Sequence, residues 1–188
     1  MKNIAWLFTF CFLFLNSYSQ SIKYLITTEI GQIRLEVYPE KAPLTVANFL
    51  KYVDSGLYDG TTFYRVCTPE NEKERRIKIE VIQGGDVAET RQFEPVRMET
   101  TRQTGLRHSN GTLSMARGTP HSATSSFFIC IGNQPELDFD GKRNPDGQGF
   151  AAFGKVIKGM RVVKRIQDRE NKDQYLVKPV KILSIKRI

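Results

Sequence analysis

Arg65 stands in the run TTFYRV (61–66), among aromatic and apolar neighbours where an unpaired cation is costly. Gln83 closes the run VIQ, directly before Gly84, Gly85 and Asp86. An amide at the end of an apolar strand can point into a cleft and hold a partner by hydrogen bonds. Phe128, in SSFFICI, adds an apolar surface. These three residue types describe a shallow apolar groove with one fixed positive donor and one amide. Such a groove binds a ligand, or catalyses a step that needs no covalent intermediate. Each residue also has a plainer reading. Arg65 can alternate outward with its stem along its neighbours, and VIQGGD can be a strand end with a polar cap.

Other chemistries lack their parts. His108 and His121 are the only histidines, and no cysteine pair or HExxH motif accompanies them. No metal is therefore expected. GxSxG is missing, and Ser114 and Ser126 sit in strand-like runs, which argues against a serine nucleophile. Asp138, Asp140 and Asp146 miss the calcium-loop spacing and have Lys142 and Arg143 between them. Gly84 and Gly85 fail the phosphate-loop spacing. No cofactor is expected.

The elements that must position these residues are mostly strands. SIKYLIT, GQIRLEVY and TTFYRV alternate or run apolar with β-branched and aromatic residues. IKIEVIQG, TLSMA, FFICI, GFAAFG and VKPVKILSIKRI continue the series, giving about eight strands. Two segments change period. APLTVANFLKYVDSG places Val46, Phe49, Leu50 and Val53 at helical spacing between Pro43 and Gly56. KVIKGMRVVKRIQ does the same with Met160, Val163 and Ile166, Gly159 marking its start. The sequence predicts a mainly β fold, an eight-stranded antiparallel closed barrel capped by two helices, with the last strand pairing with an early one. TPENEKERR, RQTGLRHSNG and FDGKRNPDGQG read as loops, the first solvent-facing.

At 188 residues the chain suits one domain. Lys2 followed by the apolar run Ile4–Leu15 and the small-residue stretch to Ser19 predicts a cleaved leader, Met1–Ser19, and a mature domain Gln20–Ile188. That run is short for a bilayer span, so no stable membrane insertion is expected after cleavage. The expected location is the periplasm or outside the cell. Cys67 and Cys130 lie in apolar runs and read as buried thiols, with a disulfide as the alternative. The net charge is +8, and residues 155–188, with eleven Lys or Arg against three Asp or Glu, account for all of it. Only Tyr175 represents the aromatics there, so stacking platforms are missing and no nucleic acid partner is expected. A solvated helix face or an anionic surface fits those cations better.

With FYRV, IQGGD, SMAR, SSFFI and AFGKV in this order, the chain resembles the cyclophilin-type peptidyl-prolyl cis-trans isomerases across nearly all of its mature part. The resemblance implies the same eight-stranded barrel with a helix across each end. It implies isomerisation of peptide bonds preceding proline in exported proteins by a monomer, with proline-containing segments of unfolded chains as partners. By resemblance, Arg65 is the catalytic arginine and Gln83 the active-site glutamine. Phe128 is the floor of the proline pocket, with Leu137 and Val81 beside it, Val81 replacing a methionine. Ala116 with its neighbours Arg117 and Gly118 forms the strip that holds substrate backbone. Ser126 replaces a second glutamine, Phe150 a rim histidine, Glu136 a rim tryptophan and Glu80 a pocket phenylalanine. Those replacements, with the charged insertion at 70–78, favour the alternative of a chaperone-like binding module with weak turnover. A ligand-carrying barrel fits less well, because TLSMA, FFICI and FAAFG read as packed interior.

Overall fold

The computed structural model describes residues 22–188, and the expected leader lies outside them. Strands β1 (Ile22–Thr28) and β2 (Gly31–Val37) form a hairpin in which Thr28 pairs with Gly31. Then follow α1 (Pro43–Asp54), β3 (Thr62–Cys67), β4 (Val81–Gly84), α2 (Thr101–Thr104), β5 (Thr112–Met115) and β6 (Phe127–Cys130). The chain ends with β7 (Ala151–Lys158), α3 (Met160–Gln167), β8 (Asn171–Lys172) and β9 (Tyr175–Arg187). Adjacent strands run antiparallel in the order β1-β2-β7-β5-β6-β4-β3-β9, and β9 pairs back onto β1. The first half of β9 pairs with β3 and its second half with β1, which closes the barrel and leaves no open edge in the ring. The two-residue β8 pairs with β9 alone and stands outside the ring.

Both expected helices form. Pro43 starts α1, which buries Val46 and Phe49; Gly159 caps α3, which buries Val163 and Ile166. Each packs an apolar stripe on the barrel, the arrangement their periodicity requires. Three expectations need correction. A single helical turn, α2, interrupts the polar stretch after residue 100, stabilised by a capping box in which the Thr100 N–H donates to Gln103 Oε1 at 2.8 Å. Only Val81–Gly84 of IKIEVIQG pairs as a strand, and the Ile79 N–H donates instead to the Glu72 carboxylate at 2.9 Å. TPENEKERR is not wholly solvent-facing either, because the Glu72 side chain is completely buried.

Alternation along the strands separates two apolar clusters. Phe63, Val66, Ile82, Phe127 and Ile129 join the large core with α1 and α3. Cys67, Val81, Phe128 and Cys130, on the opposite face, join Ile79 and Leu137 in a smaller one. That division explains the unbroken apolar run FFICI, since both faces of β6 are covered. Register sets Cys67 opposite Val81 and Val81 opposite Cys130. The two cysteines are therefore two strand spacings apart, roughly 9–10 Å, beyond the ~7 Å limit for a disulfide. Both are free and buried.

Candidate active site

The register that builds the barrel also builds the site. Arg65 pairs with Gln83, Gln83 with Phe128, and Phe128 with Ser114, so one row crosses β3, β4, β6 and β5. In-register neighbours point to the same face. The sequence VIQGGD now has its reason. A Cβ on Gly84 would lie 2.7 Å from Phe63 Cδ1 and 2.8 Å from Thr62 O, so β3 and β4 approach closely there. Gly85 has φ +78°, and a Cβ on it would meet the Phe127 and Tyr58 rings at 2.8 Å. The glycine pair locks the strand end that carries Gln83.

Arg65 Nη1 donates to Gln83 Oε1 at 2.7 Å, while its Nε and Nη2 donate to Gln174 Oε1 at 2.9 and 2.5 Å. Three of the five guanidinium N–H groups are thus engaged, leaving two. Gln83 is oriented from its other end, its Nε2 donating to Tyr64 Oη at 2.5 Å. Burial pushes the Tyr64 phenol up, so it stays protonated and lies 3.3 Å from Ser126 Oγ. Gln174 is held in turn, its Nε2 donating to Glu72 Oε1 at 3.2 Å. Glu72 also receives both terminal nitrogens of Arg143, Nη1 at 3.0 Å. Arg65 is therefore clamped by two neutral amides and has no carboxylate partner among the described residues.

Beside the guanidinium lies a cavity of about 260 Å³. Its apolar wall is Val81, Phe128, Leu137 and Phe150, with Ile79 and Ala116. Arg65, Gln83, Arg117, Arg75, Arg143 and Asn144 supply the polar lining. The Phe150 ring meets Phe128 edge-on at 5.4 Å, and the Phe150 N–H donates to Leu137 O. Arg117 lies against Phe150 and is fixed by Asp146, at 2.8 and 2.9 Å. A cavity of this size, with an apolar wall facing a planar cation, suits a small ring attached to a polar amide.

Of the ten expected site residues, eight line this cavity. Gly118 and Ser126 do not: the Gly118 N–H donates to Ser122 Oγ, and Ser126 reaches Gln83 only through Tyr64. Sequence reasoning missed Gln174, Glu72, Arg143, Arg75, Ile79 and Asn144, all from loops or the insertion.

A second arrangement invites a different chemistry. His108 Nδ1 lies 2.8 Å from Asp138 Oδ1, and His108 Nε2 lies 3.0 Å from Ser114 Oγ. The order resembles a hydrolytic triad. Ser114 is 0% and His108 2% exposed, so no substrate reaches the hydroxyl. The imidazole instead stacks on Phe128 with ring centroids 5.9 Å apart, and the string serves as backing for the cavity floor. Burial alone would raise Asp138, but hydrogen bonds from the His108 side chain and backbone outweigh it and hold its carboxyl below the usual range.

Comparison with known proteins agrees with this geometry. The family profile for cyclophilin type peptidyl-prolyl cis-trans isomerase/CLD matches residues 23–187. A peptidyl-prolyl cis-trans isomerase of Streptomyces antibioticus is 41% identical over 147 residues, covering 76% of this chain and 81% of its own length. Peptidyl-prolyl cis-trans isomerase A of Dickeya dadantii is 40% identical over 174 residues, covering 87% and 83%. A crystal structure of a Cryptosporidium parvum cyclophilin type isomerase shares the fold, with TM-score 0.69 at 22% identity over 90% of this chain and 98% of that one. A second structure of that parasite protein was solved in the presence of the dipeptide Ala-Pro. Barrel, profile and relatives coincide, and the chain belongs to the cyclophilin-type peptidyl-prolyl cis-trans isomerases.

Proposed function

We propose that Arg65 is the catalytic group of this isomerase and that the Phe128 slot holds the substrate proline. The peptide bond before proline has a rotation barrier of about 20 kcal/mol, and uncatalysed exchange takes on the order of tens to hundreds of seconds. Twisting ends the amide resonance and leaves the proline nitrogen a better hydrogen-bond acceptor. A guanidinium N–H aimed at that nitrogen binds the twisted state more tightly than either planar isomer, which is the condition for catalysis. Phe128, Val81, Leu137 and Phe150 grip the ring while the acyl side turns, and Ala116 and Arg117 lie along the substrate backbone. No nucleophile or proton transfer is required.

One observation carries this reading. Arg65 is held by Gln83 and Gln174 at the mouth of an apolar slot, with two N–H groups left to donate. Each ~1.4 kcal/mol of selective stabilisation of the twisted form gives about tenfold in rate. Arg65→Ala is expected to keep the melting temperature of the wild type and lose most of its isomerisation of a proline tetrapeptide. Arg65→Lys should recover little, because an ammonium cannot span two amides and still donate to the substrate. Equal rates for wild type and Arg65→Ala would contradict the assignment. The leader expected at Met1–Ser19 supports work on exported chains, in the periplasm or beyond it. A mature protein from exporting cells whose mass starts at Met1 would remove that part.

A further inference from the structure

Beyond the proline slot, a second cavity of about 210 Å³ is lined by Arg75, Arg76, Ile77, Lys142 and Arg143. Arg75 and Arg143 line both cavities, so the two share a wall. Neither lining contains an aspartate or glutamate. Arg143 is neutralised by the buried Glu72. The side chains of Arg75, Arg76 and Lys142 have no carboxylate partner among the described residues. Glu74 and Asp140 are the acids nearest this rim in the chain and line neither cavity, while the Glu136 carboxylate accepts the Lys142 backbone N–H at 2.8 Å. Asn144, on the wall of the proline cavity next to Arg143, carries a buried Nδ2 with no acceptor among the described residues. Three cations without a carboxylate partner and one unsatisfied amide donor therefore lie next to the slot assigned to proline.

We propose that this extension is a subsite for an acidic side chain, Asp or Glu, within two residues of the substrate proline. It rests on the slot proposed above and adds the substrate class. The subsite offers donors alone, so an amide carbonyl would be tolerated, a carboxylate preferred and a lysine repelled. Surface pairs each contribute modestly, by a factor of about 1.4 to 5, so two pairs near the middle of that range should together give roughly three- to tenfold. Exposure makes the preference sensitive to ionic strength, with a screening length of about 8 Å at physiological salt.

The test uses the full mature chain and amidated proline peptides that differ only by Glu, Gln or Lys, placed one or two residues before or after proline. Amidation removes the terminal carboxylate as a rival anion. At low salt, kcat/KM for the best-placed Glu peptide should exceed its Gln counterpart three- to tenfold, and Kd should follow. The ratio should approach one in about 0.5 M salt, and in the Arg76→Gln/Lys142→Gln variant. Turnover of every peptide with a Glu/Gln ratio near one at low salt would overturn the subsite and leave the isomerase reading standing. Tighter binding of the Glu peptide with no turnover would uphold the subsite and overturn Arg65 as catalyst. A Glu preference unchanged in the double variant would overturn the assignment to these residues.

Discussion

Removing the Glu72 carboxylate separates two jobs that the structure gives it. Its side chain is fully buried, pairs with Arg143, accepts the Ile79 N–H at 2.9 Å and receives Gln174 Nε2 at 3.2 Å. Glu72→Ala leaves the largely buried Arg143 guanidinium without its counterion, a loss of about 3–5 kcal/mol for a broken buried pair. At about 2–4 °C per kcal/mol for a chain of this size, the melting temperature should fall by roughly 6–20 °C. The effect on rate has a separate limit. Gln174 loses its anchor and Arg65 one of its two clamps, so the loss is bounded by one hydrogen bond to a charged group, about 1.5–3 kcal/mol. Gln83 still holds Nη1, which puts the expected fall near the lower end, about tenfold. Thermal melts and tetrapeptide kinetics on Glu72→Ala, Gln174→Ala and the double variant distinguish the two jobs. Should Glu72 act on the rate through Gln174, its effect must vanish in the Gln174→Ala background while the stability loss persists. Multiplying rate effects in the double variant would refute the relay, and a melt within 2 °C of wild type would refute the buried pair.

Three further outcomes follow from the same contacts. Burial pushes the Cys67 thiol up to about 11 and Cys130 higher still, so roughly one Cys67 in a thousand is thiolate at pH 8; native protein should resist thiol reagents that label both residues once it is unfolded. Asp138, held below the usual carboxylate range, contributes stability that is complete above its unfolded pKa near 3.9 and is lost as pH falls through its folded value; acid titration of Asp138→Asn should show a shallower loss below about pH 4 than wild type. Gly85→Ala combines φ +78° with ring contacts at 2.8 Å, and chemical denaturation should record a loss of about 2–4 kcal/mol from strain and overpacking.

What was legible in the sequence is what local physics writes there. Period-2 and helical patterns locate the strands and both long helices, because each element must bury a face that its own residues advertise. The same alternation exposed Arg65 as an anomaly, a cation on a strand otherwise spent on packing. The clamp on that cation left no such mark. Glu72, Arg143 and Gln174 meet across separations of 71 and 102 residues, in segments whose charge and turn residues look like solvated loops. Arg143 lies in a run where a cation only spoils a calcium loop, and the insertion carries the mixed charges that usually face water. Burial of a charge depends on a partner that composition cannot name. His108 misled in the same way: a loop histidine by sequence, it packs at 2% exposure behind Phe128.

The insertion also answers the departures from the family pattern. Glu80 stands where an aromatic wall is expected, and its side chain does not line the cavity beside Phe128. Ile79 lines it instead, 6% exposed and packed with Val81 and Phe128. Its backbone N–H is pinned by Glu72, the carboxylate that also holds Gln174 and Arg143. One buried acid from the extra segment thus fixes an apolar wall, the clamp on Arg65 and the inner edge of the cationic extension. A chain that had merely lost pocket residues would show an open slot and an unsupported guanidinium. This one keeps the slot walled by Ile79 and the guanidinium held with two N–H groups to spare, so the changes at 80 and 136 should alter which residues are accepted beside proline before they alter whether the bond turns.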